Sequence, residues 1–430
     1  MPVADLVPIE WPSEWQDPAL LQLLAGSPVN CLLLAKDVPA GLRAAAEAGG
    51  LACPPPPAWK SWKEIDWSAK AGPVCIGDGV WPELSMKGAD AGQDSTGSGP
   101  TGAPWLDANG WLIRLARARA AGRPVWLRSD PPDKSENLNT ENYLLAQSEA
   151  AAFGAVRPLW IAPAHARQVA AGNPAVQAQF KRLLANLAWH QQRREWSQWP
   201  VLARLVIASD FAGPNEYTAS ETLLLAARRN LSFQPVETAR LSAATLHGRR
   251  ALLYLDTQRM PAATAAVVQP FVESGGLLLC LKASAGALKG LRPLAETHPR
   301  FALHACGKGR VAVCSGEWDD PYMLALDTHL LMSRRYDAVR LFNSGSLSYI
   351  HTASPDGKRW IVQMLNYARR GAAHQVSLQT WQKVQAARFH SPELPQPQSL
   401  ELHREPGQQE VYLPTFKVYG AVELEITPHA

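Results

Sequence analysis

Short apolar runs alternate with helically spaced stretches through most of this chain, and no other feature limits its fold as much. Within residues 1–200 the runs Val29–Ala35 (VNCLLLA), Val74–Gly77 (VCIG), Pro124–Arg128 (PVWLR) and Val156–Ile161 (VRPLWI) read as buried strands. They are apolar without alternation, as strands covered on both faces are. Helical spacing is visible in Trp111–Ala121, Tyr143–Phe153 and Ala175–Trp196, with Asp107 placed to cap the first of these. Alternating strands and helices predict a mainly parallel sheet or barrel. About five strands can be counted in this region, so the barrel is expected to be partial. Cys53–Pro57 (CPPPP) reads as an extended connector and Gly88–Ala103 as a long loop.

The pattern changes twice. Residues 201–318 carry strands at Val201–Ser209, Ala251–Asp256 and Leu277–Lys282, with helices at Ser220–Asn230 and Pro261–Ser274, the latter ending before Gly275-Gly276. This predicts a compact flavodoxin-like, doubly wound α/β domain. Residues 319–430 are strand-rich. Ser346–His351 and Trp360–Leu365 are joined by Ser354-Pro355-Asp356-Gly357, and further strands are expected at Gln375–Leu378, Val384–Phe389, Gln409–Leu413 and Val418–Ile426. This predicts a C-terminal antiparallel β-sandwich. The fold class expected is therefore α/β plus all-β, in three domains: 1–200, 201–318 and 319–430.

Bulk numbers exclude several functions. Lys+Arg total 42 and Asp+Glu 38, a net charge of +4, too small for a general nucleic-acid binder. No apolar stretch is long enough to cross a membrane as a helix. The start, MPVADLVPIEWPSEWQDPALL, has acids and no basic region, which predicts a cytoplasmic chain, or one whose leader has been removed. The six cysteines, Cys31, Cys53, Cys75, Cys280, Cys306 and Cys314, form no CxxC pair and read as small buried hydrophobes. The eleven histidines show neither HxxxH nor HExxH, so no metal site is expected, and Gly307-Lys308-Gly309 lacks the spacing of a phosphate cradle. No cofactor is expected.

Between residues 201 and 318 the segments LVIASDFAGPNE, ALLYLD, FVESGGLLLCL and GKGRVAVCSGEW resemble the glutamine-amidotransferase-like, trimerisation-type domain of beta-galactosidases. The segments VQMLNY (Val362–Tyr367), AARFHSPE (Ala386–Glu393) and VYLPTFKVYGAVELE resemble the small β-sandwich that ends many such glycoside hydrolases. The region containing RPVWLRSDPP, YLLAQSEAAAFGA and RPLWI then resembles the end of a (β/α)8 catalytic barrel. The resemblance implies a glycoside-hydrolase-like protein of carbohydrate metabolism with a saccharide ligand, and a middle domain able to mediate homo-oligomerisation. A working amidotransferase places its nucleophilic Cys at a strand-to-helix elbow. Cys280 lies inside LLLCLK with no such elbow, so amide hydrolysis is not expected.

Glycoside hydrolysis uses two carboxylates, and a barrel sets them at the C-terminal ends of its strands. Asp78 follows VCIG, Glu83 lies in the next loop, Asp130 follows PVWLR and Asp133 is three residues on. The expected pair is Asp78 or Glu83 on one side and Asp130 on the other. The competing reading makes Asp78-Gly79 and Asp130-Pro131-Pro132 turn residues only. Glu149, mid-helix, reads as a solvated or salt-bridged face residue. Asp210, Asn215 and Glu216 follow the first strand of the middle region and read as loop caps. Of 16 Trp, thirteen precede residue 200. Trp81, Trp105, Trp111 and Trp126 are the candidate sugar platforms, because an indole face stacks on the apolar face of a pyranose; the competing reading is core packing. Two functions stay open: a glycoside hydrolase, beta-galactosidase-like if active, or an inactive carbohydrate-binding or scaffold protein that oligomerises through its middle domain.

Overall fold

The computed structural model describes residues 2–85, 105–131, 140–318, 320–333, 337–368 and 371–427, with Ser85 and Trp105 described by backbone alone. The chain is a mixed α/β structure with several sheets. The expected loop Gly88–Ala103 and Asp133 lie outside the described residues.

The first region is built on strands of three residues each. Strand β1 (Pro8–Glu10) pairs in parallel with β2 (Cys31–Leu33), which bridges Ala52 beyond helix α1 (Ala40–Ala48). Strand β3 (Val74–Ile76) bridges Lys60 on one side and pairs on the other with β6 (Val125–Leu127). Between these, β4 (Glu83–Ser85) and β5 (Trp105–Asp107) form an antiparallel ribbon that leads into α2 (Gly110–Arg119). After β6 comes α3 (Thr140–Phe153); the segment behind it bridges Trp126 through Val156 and Ile9 through Leu159. The proline run between Ala52 and Lys60 spans from β2 to β3. Parallel backbone pairing thus passes through six segments and returns to its start. The expected strand over 156–161 is reduced to its two bridges, because Pro158 can donate to no neighbour.

Side chains of the ring alternate with period two. Leu32, Val74, Ile76, Val125 and Leu127 face the main core, where they meet Leu112, Leu115, Tyr143 and Phe180 of the surrounding helices. Cys31, Leu33, Cys75 and Trp126 face the other way and form a separate small cluster with Leu6, Trp59 and Val156. Two indoles belong to this cluster, Trp126 at 2% exposure and the partly buried Trp59. Helices α4 (Pro163–Ala170), α5 (Pro174–Gln192) and α6 (Glu195–Gln198) complete the outer layer; Asn173 caps α5 by accepting from Ala175 and Val176. Gly110 opens α2 where a Cβ would stand 2.6 Å from the Phe153 ring, so only glycine fits there. Asp107, expected as a cap, is instead the last residue of β5, and Asn109 occupies the cap position.

The middle region has β7 (Leu205–Ser209), α7 (Glu216–Arg228), β8 (Phe233–Glu237), α8 (Ala243–Leu246), β9 (Ala251–Tyr254), α9 (Ala262–Glu273), β10 (Leu277–Leu281), α10 (Lys282–Ala285), β11 (Arg292–Thr297), β12 (Phe301–Cys306) and β13 (Gly309–Cys314). Its sheet runs β11-β12-β13-β10-β9-β7-β8, parallel from β13 onward with an antiparallel edge. The chain reverses its direction of winding at β7, and a closed polar network sits there. Asp256 accepts from Asp210 N–H at 2.9 Å and Thr238 Oγ1 at 2.6 Å, while Asn215 donates to Asp210 and accepts from Thr257. Cys280 is fully buried in β10, where burial pushes its thiol up to about 12.

Helix α11 (Pro321–Met332) leads into two antiparallel sheets. One contains β14 (Val339–Phe342), β17 (Ser377–Thr380), β21 (Gln408–Tyr412) and β20 (His403–Glu405). The other contains β15 (Leu347–Ala353), β16 (Arg359–Asn366), β22 (Tyr419–Ile426), β18 (Val384–His390) and β19 (Gln398–Leu400). They share a core in which Val339, Leu378 and Val411 meet Val362, Phe389 and Val422. The β15–β16 turn is the expected one: Gly357 adopts φ 71°, and its N–H donates to Ser354 O at 2.8 Å. Interior bonds tie this region to the first, among them Arg114 to Tyr349 O at 3.1 Å and Thr352 to Trp196 O at 2.8 Å.

Candidate active face at the ends of the ring strands

The C-terminal ends of β1, β3 and β6 gather carboxylates and guanidiniums. Glu10 ends β1, and Arg128, Ser129 and Asp130 follow β6. Arg128 Nε lies 3.0 Å from Asp130 Oδ1 and 3.8 Å from Glu10 Oε1. A shared partner holds these two carboxylate oxygens within roughly 7 Å of each other, inside the span over which glycosidase carboxyl pairs operate. Glu10 is the more enclosed of the two, at 21% side-chain exposure against 68% for Asp130. Burial raises the Glu10 carboxyl above its ordinary value, against the opposing pull of Arg128, and Asp130 adds to the rise.

Arg157 reaches the same end. Its guanidinium donates to Ser129 Oγ and, at 2.8 Å, to Ser129 O, and it stacks 5.0 Å over the Trp81 ring. Burial lowers it to about 10, still charged at neutral pH, with Glu149, Glu10 and Asp130 opposing the shift.

The turn carrying Asp78 lies alongside. Gly79 N–H donates to Arg128 O at 3.1 Å, and a Cβ at Gly79 would stand 2.6 Å from that oxygen, so glycine is required for the close approach. The structure therefore brings the Asp78 and Asp130 turns together. Asp78, however, accepts from Ser61 Oγ at 2.6 Å and from Trp62 N–H at 3.0 Å, which holds the short helix that begins there. Glu83 is half-buried on the β4–β5 ribbon, in register with Asp107.

The indoles are placed differently from one another. Trp126 fills the ring interior at 2% exposure. Trp81 is also buried, edge-on to Tyr143 at 5.7 Å beneath Arg157. Trp111 is half-buried and meets Trp62 edge-to-face at 6.0 Å. The backbone of Trp105 belongs to β5, and its side chain lies outside what is described.

Glu10 carries no signal in the sequence, because its strand is three residues long and begins with proline. Glu149, expected on a solvated face, is instead 1% exposed and accepts from the Asn109 N–H and side-chain amide and from the Tyr367 hydroxyl. Helix α3 is buried nearly all round, packed against α2, α5, α6 and β16, so it has no solvated face to offer. Among the described residues no group of three or more His, Cys, Asp or Glu could hold a metal ion, and no helix is long and apolar enough to cross a membrane.

No family model matches the sequence, and no curated protein does. Solved structures do match. The alpha-L-fucosidase isoenzyme 2 from Paenibacillus thiaminolyticus superposes with a TM-score of 0.52 at 13% identity, over 74% of this chain and 62% of that one. The beta-galactosidase from Bacillus circulans sp. alkalophilus gives 0.49 at 12% identity, over 74% of this chain and 58% of that one. The chain thus spans less than two thirds of the length of either. Its fold is glycoside-hydrolase-like.

Proposed function

We propose that the strand-end face of the first region binds a saccharide and cleaves a glycosidic bond, with Glu10 and Asp130 as the carboxyl pair. The observation that carries this reading is their joint approach to Arg128 at the ends of two segments of one parallel ring. Glu10, enclosed and with its carboxyl raised, suits the acid that gives its proton to the glycosidic oxygen as the C–O bond breaks. Asp130, exposed and across from it, suits attack on the anomeric carbon or activation of water. Asp78 and Glu83 keep a place in the proposal as residues flanking the cleft, and Trp105 and Trp111 as the indoles that would meet the sugar. The region 1–200 is then a reduced (β/α) barrel, 201–318 an amidotransferase-like structural module and 319–430 a β-sandwich; the middle module is proposed to bring copies of the chain together. The test is hydrolysis of a panel of aryl-glycosides that includes fucosides and galactosides. Asp130→Asn and Glu10→Gln should each lower turnover at least a hundredfold, with Asp78→Asn much milder. Absence of turnover on the whole panel ends the reading.

A second reading rests on the same contact. Both carboxylates lie against one guanidinium, and a neutralised pair suits recognition of hydroxyls better than acid catalysis. It calls for saccharide binding without turnover, weakened by Arg128→Gln.

A further inference from the structure

The strand-start side of the ring, opposite Glu10 and Asp130, carries a cavity of about 370 Å³ bounded by Pro8, Val125 and Val156 of the ring and by residues of α3 and α5. Among the described residues five arginines line it, and no Asp or Glu does. Their commitments differ. Arg157 spends its guanidinium on Ser129 at the other end, and Arg194 is paired with Asp5 at 2.7 Å. Arg117 donates only to carbonyls, Phe153 O at 3.0 Å and Ser197 O at 2.7 Å. Arg193 donates to Trp189 O at 3.2 Å and stacks 4.1 Å over the Trp189 ring. Arg123 donates to the carbonyls of Ala120 and Asp66, at 3.3 and 3.4 Å, and its charge acts on the Asp66 carboxylate without a hydrogen bond to it.

Among the described residues Arg117 and Arg193 thus have no carboxylate partner, and Arg123 has only the electrostatic pull of Asp66. A half-buried charge without a counter-ion is costly, and an anion entering the cavity would relieve that cost. Burial lowers Arg117 and Arg193, opposed at Arg193 only by the Tyr419 phenol and at neither by a carboxylate, which agrees with the geometry. The rest of the lining is rich in amides. Gln147 is 4% exposed; its Oε1 accepts from Asn186, and its enclosed Nε2 has no partner among the described residues. Amides of this kind match sugar hydroxyls, which donate and accept at once. The volume is within the range of small-molecule sites.

We propose that this cavity binds a small polyhydroxylated oxoanion, a sugar phosphate or a sugar acid, with Arg117, Arg123 and Arg193 facing the anionic group and the amides facing the hydroxyls. The proposal is independent of the hydrolytic reading, since it uses none of the same side chains. Calorimetric titration of the full chain with glucose 6-phosphate, glucuronate, glucose and inorganic phosphate tests it. At least one of the two charged sugars should bind, and raising salt should weaken it. Arg193→Gln should weaken it at least tenfold, while Asp130→Asn leaves it unchanged. Arg123→Gln gives the same measurement at a side chain that holds two long carbonyl contacts, should Arg193→Gln fold poorly. Equal binding of glucose, equal binding of inorganic phosphate, no binding of either charged sugar, or full binding by both folded variants each overturns the proposal.

Discussion

Glu149 accepts two hydrogen bonds from Asn109, one from its main-chain N–H and one from its side-chain amide, each at 2.7 Å. Asn109 also accepts from Val80 N–H and donates to Val80 O, both at 2.8 Å. The carboxylate is completed by the Tyr367 hydroxyl at 2.6 Å, so α2, α3, the turn after β3 and the end of β16 meet on one buried group.

Glu149→Ala should destabilise the chain by about 3 kcal/mol, because it leaves an N–H, an amide and a hydroxyl unpaired in the interior. Urea unfolding at constant m-value measures this. Burial holds the Glu149 carboxyl above its ordinary value, so the folded state takes up that proton more readily than the unfolded one. The group's favourable contribution is therefore fully present below about pH 4.3 and is lost as pH rises through the elevated pKa. Glu149→Gln should flatten that part of the stability–pH curve; an unchanged curve would refute the assignment.

Glu423 carries the opposite sign. His390 Nε2 lies 3.0 Å away, and that bond holds the carboxyl below its ordinary value, with Arg359 and Arg388 adding to it against burial. Its contribution is present above about pH 4.3 and disappears as pH falls through the lowered pKa. Glu423→Gln should cost about 1–2 kcal/mol at pH 7 and little at pH 3. Thermal unfolding across that range distinguishes the two.

Trp126→Ala should cost about 3–5 kcal/mol, because the indole fills the ring interior and the closed backbone pairing leaves little room to collapse into the space. Trp126→Phe should cost distinctly less. A small loss for Trp126→Ala in guanidinium unfolding would mean that the ring relaxes freely.

Cys280 should resist alkylation by iodoacetamide at pH 8 in the native chain and react once the chain is unfolded in guanidinium. Burial excludes the reagent and pushes the thiol up to about 12, so almost no thiolate forms. Cys31 and Cys75, pushed up to about 11, should also be slow. Mass spectrometry of labelled peptides reads each site.

In the middle region β7, β9 and β10 were legible because they are apolar runs of four or five residues buried throughout; β8 and β11 were not, because polar and exposed positions interrupt them, and neither were β12 and β13. The Ser354–Gly357 turn was legible because Asp and Gly meet its backbone demands. Of the ring, β2, β3 and β6 were legible as the apolar runs around Cys31–Leu33, Val74–Ile76 and Val125–Leu127, whereas β1 was not, since Pro8–Glu10 is three residues long and begins with a residue that strands seldom contain. The proline run after Cys53 looked like a connector, yet its ends Ala52 and Lys60 close the ring. Of the candidate face, Asp78 and Asp130 were visible as acids after apolar runs. Glu10 depends on a partner more than a hundred residues away, and nothing local signals that. Glu149 is held by Asn109 and Tyr367, one well before it and one far along the chain, and nothing within its own helix signals either.

Gln363 donates to Ala152 O at 3.4 Å, Arg114 reaches Tyr349 O, Tyr367 reaches Glu149, and Thr352 reaches Trp196 O, all across the boundary between the first and third regions. Such bonds are made inside the molecule, where water cannot replace them. The two regions should therefore melt together as one calorimetric unit. A fragment cut near residue 200 would carry a torn interior instead of a surface.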